Sequence, residues 1–333
     1  MDLPADFIST VTNTFGEDGE SLIANLPALI EEAASRWGLT NIQPVENLSY
    51  NFVAYADSPL SLGEGLGLRE KKSVVLKIGV PRDELTSEIA ALRLFNGEGA
   101  CRLIDADEEN GFLLLERLHP GVMLSTMEDD EQATHIAAEL MLKIWKSLES
   151  DSLLSKLQEH TLTSTRAPGL QKYIQLSDWF DGLNKLRERF NGGTGPLNEK
   201  LVERVEGSVK DFFAENHQPV LMHGDFHHFN ILSSERGWLV IDPKGVIGPA
   251  GYEVGPFLIN PWGEISNEVN QRQMMVRRID ILNEHLGFER ERICEWGLAH
   301  AVLSAWWHID DNTSGEEYSM NFAEMIANLP LGS

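Results

Sequence analysis

The sequence predicts an α+β fold in two lobes: helices at the start, an antiparallel sheet with one further helix, then a mostly helical remainder. Three observations carry this. Residues 7–38 place Leu22, Ile23, Leu26, Leu29, Ile30 and Ala33 at helical spacing, with Pro27 as a kink or boundary and Gly38 as the end. From about Ile42 the apolar period changes to two, giving strands at 42–46, 51–56 and 73–78 in an antiparallel meander. Helical spacing then returns at 127–149, 170–190, 197–216, 267–286 and 289–308. A chain of 333 residues has room for two cores, and the division falls at 1–118 and 119–333.

The second and third strands are separated by Ser58-Pro59-Leu60-Ser61-Leu62-Gly63-Glu64-Gly65-Leu66-Gly67 and the charged run Arg69-Glu70-Lys71-Lys72. A strand follows this glycine-rich stretch directly, so it reads as a hairpin tip and not as a phosphate loop. The third strand, Ser73-Val74-Val75-Leu76-Lys77-Ile78, carries one lysine in an apolar alternation. A lysine on an inner face is costly unless an anion meets it. A helix at 83–96 follows, capped by Thr86 or Ser87, with Leu85, Ile89, Leu92 and Phe95 on one face and Glu88 in its first turn. Cys101-Arg102-Leu103-Ile104-Asp105-Ala106 reads as a strand. Gly111 to Leu118 reads as a buried strand that ends at the breaker His119-Pro120-Gly121. Backbone groups at Glu116, Arg117 and Leu118 suit an adenine edge; the plain alternative is a strand leaving a sheet.

The formal charge of -25 and pI near 4.7 repel nucleic acid and anionic lipid and favour a cationic small substrate, although acidity also serves solubility alone. Two distant cysteines, Cys101 and Cys294, offer no disulfide framework or zinc pattern, which fits a reducing cytoplasm. The acidic start lacks the pattern of a signal peptide, and no apolar run is long enough to span a bilayer.

The chemistry concentrates in His223-Gly224-Asp225-Phe226-His227-His228-Phe229-Asn230 and, after a turn, Val240-Ile241-Asp242-Pro243-Lys244-Gly245. An acid, an amide five residues on and a second acid at a strand end form a set of oxygen ligands with one possible base. Such a set handles magnesium and a phosphate ester, and the order matches the kinase pattern H-R-D-x-x-x-x-N then D-F-G. His223, His227 and His228 admit a zinc or iron reading, but the adjacent pair diverges on any regular element and the acids favour hard cations.

Together with Val75-Leu76-Lys77, Glu88-Ile89-Ala90-Ala91-Leu92-Arg93, Leu113-Leu114-Leu115-Glu116-Arg117-Leu118 and Ala301-Val302-Leu303-Ser304-Ala305-Trp306-Trp307, these motifs carry a resemblance over about 20–315. The chain resembles the aminoglycoside phosphotransferases of the protein-kinase-like fold, within them the branch of streptomycin 6-kinases and hydroxyurea phosphotransferases. Asp-Pro-Lys-Gly in place of Asp-Phe-Gly marks that branch. The resemblance implies transfer of the ATP γ-phosphoryl group to a hydroxyl, with ATP and magnesium (Mg2+) as cofactors.

It further implies that Asp225 orients the attacking hydroxyl, Asn230 and Asp242 hold magnesium, and Lys77, kept in place by Glu88, grips the phosphates. His223 anchors the loop. Lys244 has two readings, a phosphate contact or an ion pair with an acid such as Glu253. The segment expected to cover the phosphates, Glu46-Asn47-Leu48-Ser49-Tyr50-Asn51, lacks glycine, leaving Ser49 and Asn51 as side-chain donors. For a cationic acceptor the candidates are Asp310, Asp311 and Glu295, with Trp306 or Trp307 as a stacking wall. The bland alternative is core tryptophans and a solvated helix end. Other readings are a kinase of another hydroxylated or amine-bearing metabolite, or a nucleotide-binding pseudokinase, which the intact Lys77, Glu88, Asp225, Asn230 and Asp242 oppose.

Overall fold

Two helices, α1 (Ala5–Phe15) and α2 (Glu17–Trp37), open the computed structural model, which describes residues 3–59, 72–147, 173–214, 218–260 and 268–330. The break between them is Gly16, at φ +58. Pro27, expected as a kink or boundary, stays inside α2 on its exposed side, where water can satisfy the carbonyl that proline frees. Gly38 closes α2 in the left-handed conformation, donating to the Ala34 carbonyl.

Five antiparallel strands follow: β1 (Thr40–Pro44), β2 (Phe52–Ser58), β3 (Lys72–Ile78), β4 (Leu103–Asp107) and β5 (Phe112–Glu116), in the order β1-β2-β3-β5-β4. The expected hairpin tip and charged run at 58–72 lie largely outside the described residues. The two-residue period sorts the sheet into two faces. Val74, Leu76, Ile78, Phe112 and Leu114 pack with Phe7, Leu26 and Trp37 beneath α1 and α2. Leu113, Leu115 and Val75 face the other way, with α3 (Asp83–Phe95) and the core of the helical half. Alternation puts Lys77 on this second face. The expected cap at Thr86 or Ser87 is corrected: α3 begins at Asp83 without a side-chain cap, so Ser87 and Glu88 lie in its second turn.

The remainder begins with β6 (Pro120–Met123), α4 (Asp130–Ile144) and β7 (Lys146–Ser147). Helix α4 stops short of the expected 149 because Lys146 and Ser147 pair with β9 (Val220–Met222). After β8 (Ile174–Gln175), the helix expected to run to 190 is split at Asp181 into α5 (Leu176–Phe180) and α6 (Gly182–Arg189). Next come α7 (Glu199–Ala214), the hairpin of β10 (Ile231–Ser234) and β11 (Gly237–Val240), and β12 (Val246–Gly248). The chain ends in α8 (Val254–Ile259), α9 (Glu268–Leu286), α10 (Arg290–Asp310) and α11 (Glu316–Ala327). Helix α11 was not anticipated, although Ser319, Met320, Phe322, Ala323 and Ile326 are buried at helical spacing.

Helix α10 is buried on most sides between Ile293 and Trp306 and serves as the centre of this half, packing against α7, α8 and α11. Buried Arg278 of α9 holds α4 by donating to Asp130 at 2.5 and 3.0 Å, and reaches the Asn260 carbonyl at 2.7 Å. Cys101 and Cys294 are free and buried. Among the described residues no helix is long and apolar enough to cross a membrane.

His300 of α10 is buried beside the Tyr252 hydroxyl, 3.0 Å from Nδ1, and burial pushes its pKa from 6.5 down to about 4. The unfolded chain takes up this proton first, so the contribution is whole above pH 6.5 and is lost as pH falls from 6.5 to about 4. His300→Gln, which does not titrate, should close its gap in melting temperature to wild type across that window. A gap that stays constant with pH would contradict this.

Candidate active site

Lys77, buried on the α3 face of β3, needs an anion. Its Nζ donates to both Glu88 oxygens, at 2.8 and 2.7 Å, and to Asp242 Oδ1 from the other half of the chain. Lys77 and Glu88 are each 5% exposed, whereas the Asp242 side chain is 40% exposed. Burial opposes the charge on Lys77, but Asp242 and Glu88 outweigh it and hold the ammonium protonated. The Ser87 hydroxyl, one residue before Glu88, donates to the Gly245 carbonyl at 2.8 Å. Gly245 is at φ +68, and a Cβ there would lie 2.6 Å from the Ser87 carbonyl oxygen. Helix α3 therefore docks directly on the Asp-Pro-Lys-Gly turn.

The loop after β9 is framed as tightly. Gly224 takes φ +87, and a Cβ would come within 2.3 Å of Val246. The buried Glu253 carboxylate accepts the N–H groups of His223 and Gly224, one on each oxygen, both at 2.8 Å. His223 Nε2 donates to the Ile241 carbonyl at 2.8 Å, and Nδ1 accepts from the Asp225 N–H at 3.1 Å. This is a neutral ring, and burial pushes its pKa down to about 4. Asn230 Nδ2 donates to the Asp225 carbonyl at 3.0 Å, and Ile241 donates to the Asn230 carbonyl at 2.9 Å. The Asn230 side chain and the Ile241 N–H thus hold Asp225, Asn230 and the residue before Asp242 together.

The Asp225 side chain is 36% exposed, with His227 Nε2 at 3.5 Å. Burial would raise its pKa, but His227 and Lys244 outweigh this and hold the carboxyl well below the usual range. His228 turns away and stacks on Phe257 at 4.2 Å.

Asp225, Asn230 and Asp242 present oxygens suited to a hard cation. Because Asn230 commits its amide nitrogen to the Asp225 carbonyl, Oδ1 is the atom left for a metal. Among the described residues no three His, Cys, Asp or Glu side chains converge on a metal position. A donor set this small fits magnesium, which completes its octahedron with phosphate oxygens and water.

Glu116 is engaged by the Arg102 N–H at 2.8 Å and by Arg236, and the Arg117 guanidinium lies 3.7 Å from the Tyr55 ring centroid. Leu118 is buried. These three side chains are committed, so any nucleotide contact there falls to the backbone. Ser49 is exposed. Asn51 sets its Oδ1 against Gly79.

On the acceptor side two expectations are corrected. Trp306 is 2% exposed, packed against Gly182, and forms no stacking wall. Glu295 is held by Arg204 and Ser208, both at 2.5 Å, against α7. Half-buried Trp307 instead meets Trp179 edge to face at 5.4 Å. Asp310 lies 3.6 Å from Arg189, while Asp311 has no salt bridge among the described residues.

Glu253 is corrected as well: it serves the loop, and the acid nearest Lys244 is Glu84, at 3.7 Å. Tyr50 was not singled out. The residue is 43% exposed; partial burial and then Asp311 raise the pKa of its phenol, with Asp225 adding and Lys244 opposing, so it lies within reach of the charges of both Asp311 and the loop. Neither Tyr50 nor Glu84 stands in a motif; folding of the β1–β2 loop and docking of α3 bring them there.

Gly245→Ala should cost about 1–3 kcal/mol from left-handed strain alone. Glu253→Gln turns one acceptor into a donor facing a backbone N–H and should cost about 1–3 kcal/mol. Denaturant unfolding measures both; wild-type midpoints would show that neither contact frames the site.

The family described as aminoglycoside/hydroxyurea antibiotic resistance kinase matches residues 66–312. A streptomycin 6-kinase of Streptomyces glaucescens is 29% identical over 316 residues, 94% of this chain and 93% of its own. A hydroxyurea phosphotransferase of Kitasatospora aureofaciens is 30% identical over 315 residues, 93% of this chain and 81% of its own. The solved structure of a thermostable mutant of aminoglycoside phosphotransferase APH(4)-Ia, in ternary complex with ADP and hygromycin B, aligns with TM-score 0.57 at 11% identity, over 91% of this chain and 99% of its own. Choline kinase LicA from Streptococcus pneumoniae aligns with TM-score 0.56 at 11% identity, over 91% and 98%. The structural likenesses carry the fold and the long sequence matches carry the family: the chain is a phosphotransferase of protein-kinase-like fold that belongs to the aminoglycoside/hydroxyurea antibiotic resistance kinases.

Proposed function

We propose that the protein transfers the γ-phosphoryl group of ATP, with magnesium, to one hydroxyl of a cationic aminoglycoside of the streptomycin type. The observation that carries this reading is the part-exposed Asp225 carboxylate, its loop held by the Asn230 amide and by the Ile241 N–H beside Asp242, with Lys77 of the sheet, fixed by Glu88 of α3, reaching Asp242. Residues 1–118 are the nucleotide-binding lobe and 119–333 the catalytic and acceptor lobe. The reaction belongs in the cytoplasm, where ATP is abundant and buried thiols stay reduced.

In this reading Lys77, fixed by Glu88, grips the α- and β-phosphates, and the backbone at 116–118 takes the adenine edge. Asn230 Oδ1 and Asp242 would hold magnesium, which when bound neutralises charge on the phosphate oxygens. Asp225 accepts a hydrogen bond from the acceptor hydroxyl and aims its lone pair. A carboxylate with so depressed a proton affinity is a weak base and a good orienting group, as phosphoryl transfer requires. The hydroxyl proton leaves toward Asp225 as the new oxygen–phosphorus bond forms and the bond to the bridging oxygen breaks.

Asp311 supplies negative charge to a cationic acceptor; burial and neighbouring Asp310 raise its pKa, so a cation there is welcome. Uncharged hydroxyurea would leave that carboxylate without a partner. The net charge of -25 adds long-range attraction for a cation.

Asp225→Ala should lower kcat by roughly 10²–10⁴-fold with an unchanged circular dichroism spectrum. Chelation by EDTA should abolish turnover, and added magnesium restore it. Asp311→Asn should raise KM for streptomycin by about tenfold with kcat little changed, the pattern of a lost uniform binding interaction. A mass shift of one phosphoryl group on streptomycin reports the product. A protein that consumes ATP and phosphorylates a different amine-bearing alcohol, leaving streptomycin unmodified, would overturn the substrate assignment.

A further inference from the structure

Lys244 stands within the catalytic constellation and has no role in the reading above. Its backbone N–H donates to the His223 carbonyl at 2.7 Å, and that of Gly245 to the same oxygen at 3.2 Å. The Asp-Pro-Lys-Gly turn is therefore pinned to the loop bearing Asp225 on one side and to α3, through Ser87, on the other. A side chain leaving this turn has a well-defined origin.

The ammonium group is loosely partnered. Lys77 makes contacts of 2.7 and 2.8 Å to Glu88 and a further one to Asp242, whereas the ion pair of Lys244 among the described residues is Glu84 at 3.7 Å. That Glu84 side chain is 61% exposed, and such a pair contributes little and is released at little cost. Lys244 stands two residues beyond Asp242, the acid that holds magnesium, and its backbone bond to the His223 carbonyl sets it against the loop that carries Asp225, the acid that orients the hydroxyl. Charge on the equatorial oxygens of a transferring phosphoryl group develops between those two acids. A lysine suits the task, since its flexible stem lets three donors follow a moving group.

We propose that Lys244 is a further catalytic residue, donating hydrogen bonds to the transferring phosphoryl group, and that Glu84 is its counter-ion when no phosphate is present. This rests on the reading of Asp225 as the group that orients the acceptor hydroxyl. Lys244 keeps its protons throughout: the acceptor oxygen bonds to phosphorus, the bond to the bridging oxygen breaks, ADP departs and the hydroxyl proton leaves toward Asp225.

The test compares wild type, Lys244→Met, Lys244→Arg and Asp225→Ala with ATP, magnesium and streptomycin. Lys244→Met should lower kcat by roughly 10²–10³-fold, the loss typical of one preorganised donor, with both KM values nearly unchanged. Lys244→Arg should recover part of the loss. Melting temperatures of the lysine variants should stay close to wild type, because the Glu84 pair is weak. A wild-type kcat in a folded Lys244→Met, or a change confined to KM, would overturn the inference.

A second measurement needs no acceptor. Aluminium fluoride with magnesium should tighten ADP binding to wild type, and Lys244→Met should lose that tightening while binding ADP alone as before. Equal tightening in both proteins would overturn the role of Lys244. Failure of wild type to phosphorylate streptomycin, with the tightening difference present, would sink the substrate reading and leave Lys244 supported.

Discussion

A buried ammonium group organises this molecule. Lys77 leaves β3 on a face where its neighbours are apolar, and a charge there is tolerated only with close anions. Glu88 supplies one from α3, so the helix must dock on the sheet at one register. Asp242 supplies the other from beyond β11, so the two halves of the chain meet at this point. The Ser87–Gly245 contact, one residue from Glu88, repeats the connection through the backbone and makes glycine necessary in the Asp-Pro-Lys-Gly turn. One electrostatic requirement thus sets helix, sheet and the Asp242 carboxylate relative to each other.

The loop from His223 to Asn230 answers a second constraint, that of buried backbone donors. His223 and Gly224 present N–H groups where water does not reach, and Glu253 takes both. His223 then spans the loop with its two ring nitrogens. Asp225 is left as the loop member whose carboxylate faces solvent and whose charge is supported by His227 and Lys244. The chemistry rests on a frame that leaves few groups free to move.

The acceptor side is built differently. Helix α10 is the core of its half, so residues along its length are used for packing: Trp306 against Gly182, Glu295 against Arg204 and Ser208. Polar groups emerge at its ends, and the C-terminal one faces the loop of Asp225. Asp311, Tyr50 and the Trp307–Trp179 pair sit at that end, near Asp225. Placing Asp310 and Asp311 at a helix terminus lets the helix interior stay apolar while its end carries charge.

The cluster of Lys77, Glu88, Asp225, Asn230 and Asp242 was legible in the sequence because its members stand in two short motifs plus one lysine and one glutamate, each at a spacing that local structure dictates. Strand alternation put Lys77 on an inner face, and helical spacing put Glu88 near Leu85, Ile89 and Leu92. The sheet and most of the helices followed from the same periodicities, and the family from the resemblance that the motifs carry. Tertiary structure alone decided which acids are free. Glu295 and Asp311 look alike along the chain, and only the approach of α7 takes the first and leaves the second. Lys244 meets Glu84 instead of Glu253 because buried backbone donors claim Glu253. Local pattern is set by bonds between near neighbours, which a sequence displays; the pairing of charges is set by what burial brings together from distant segments.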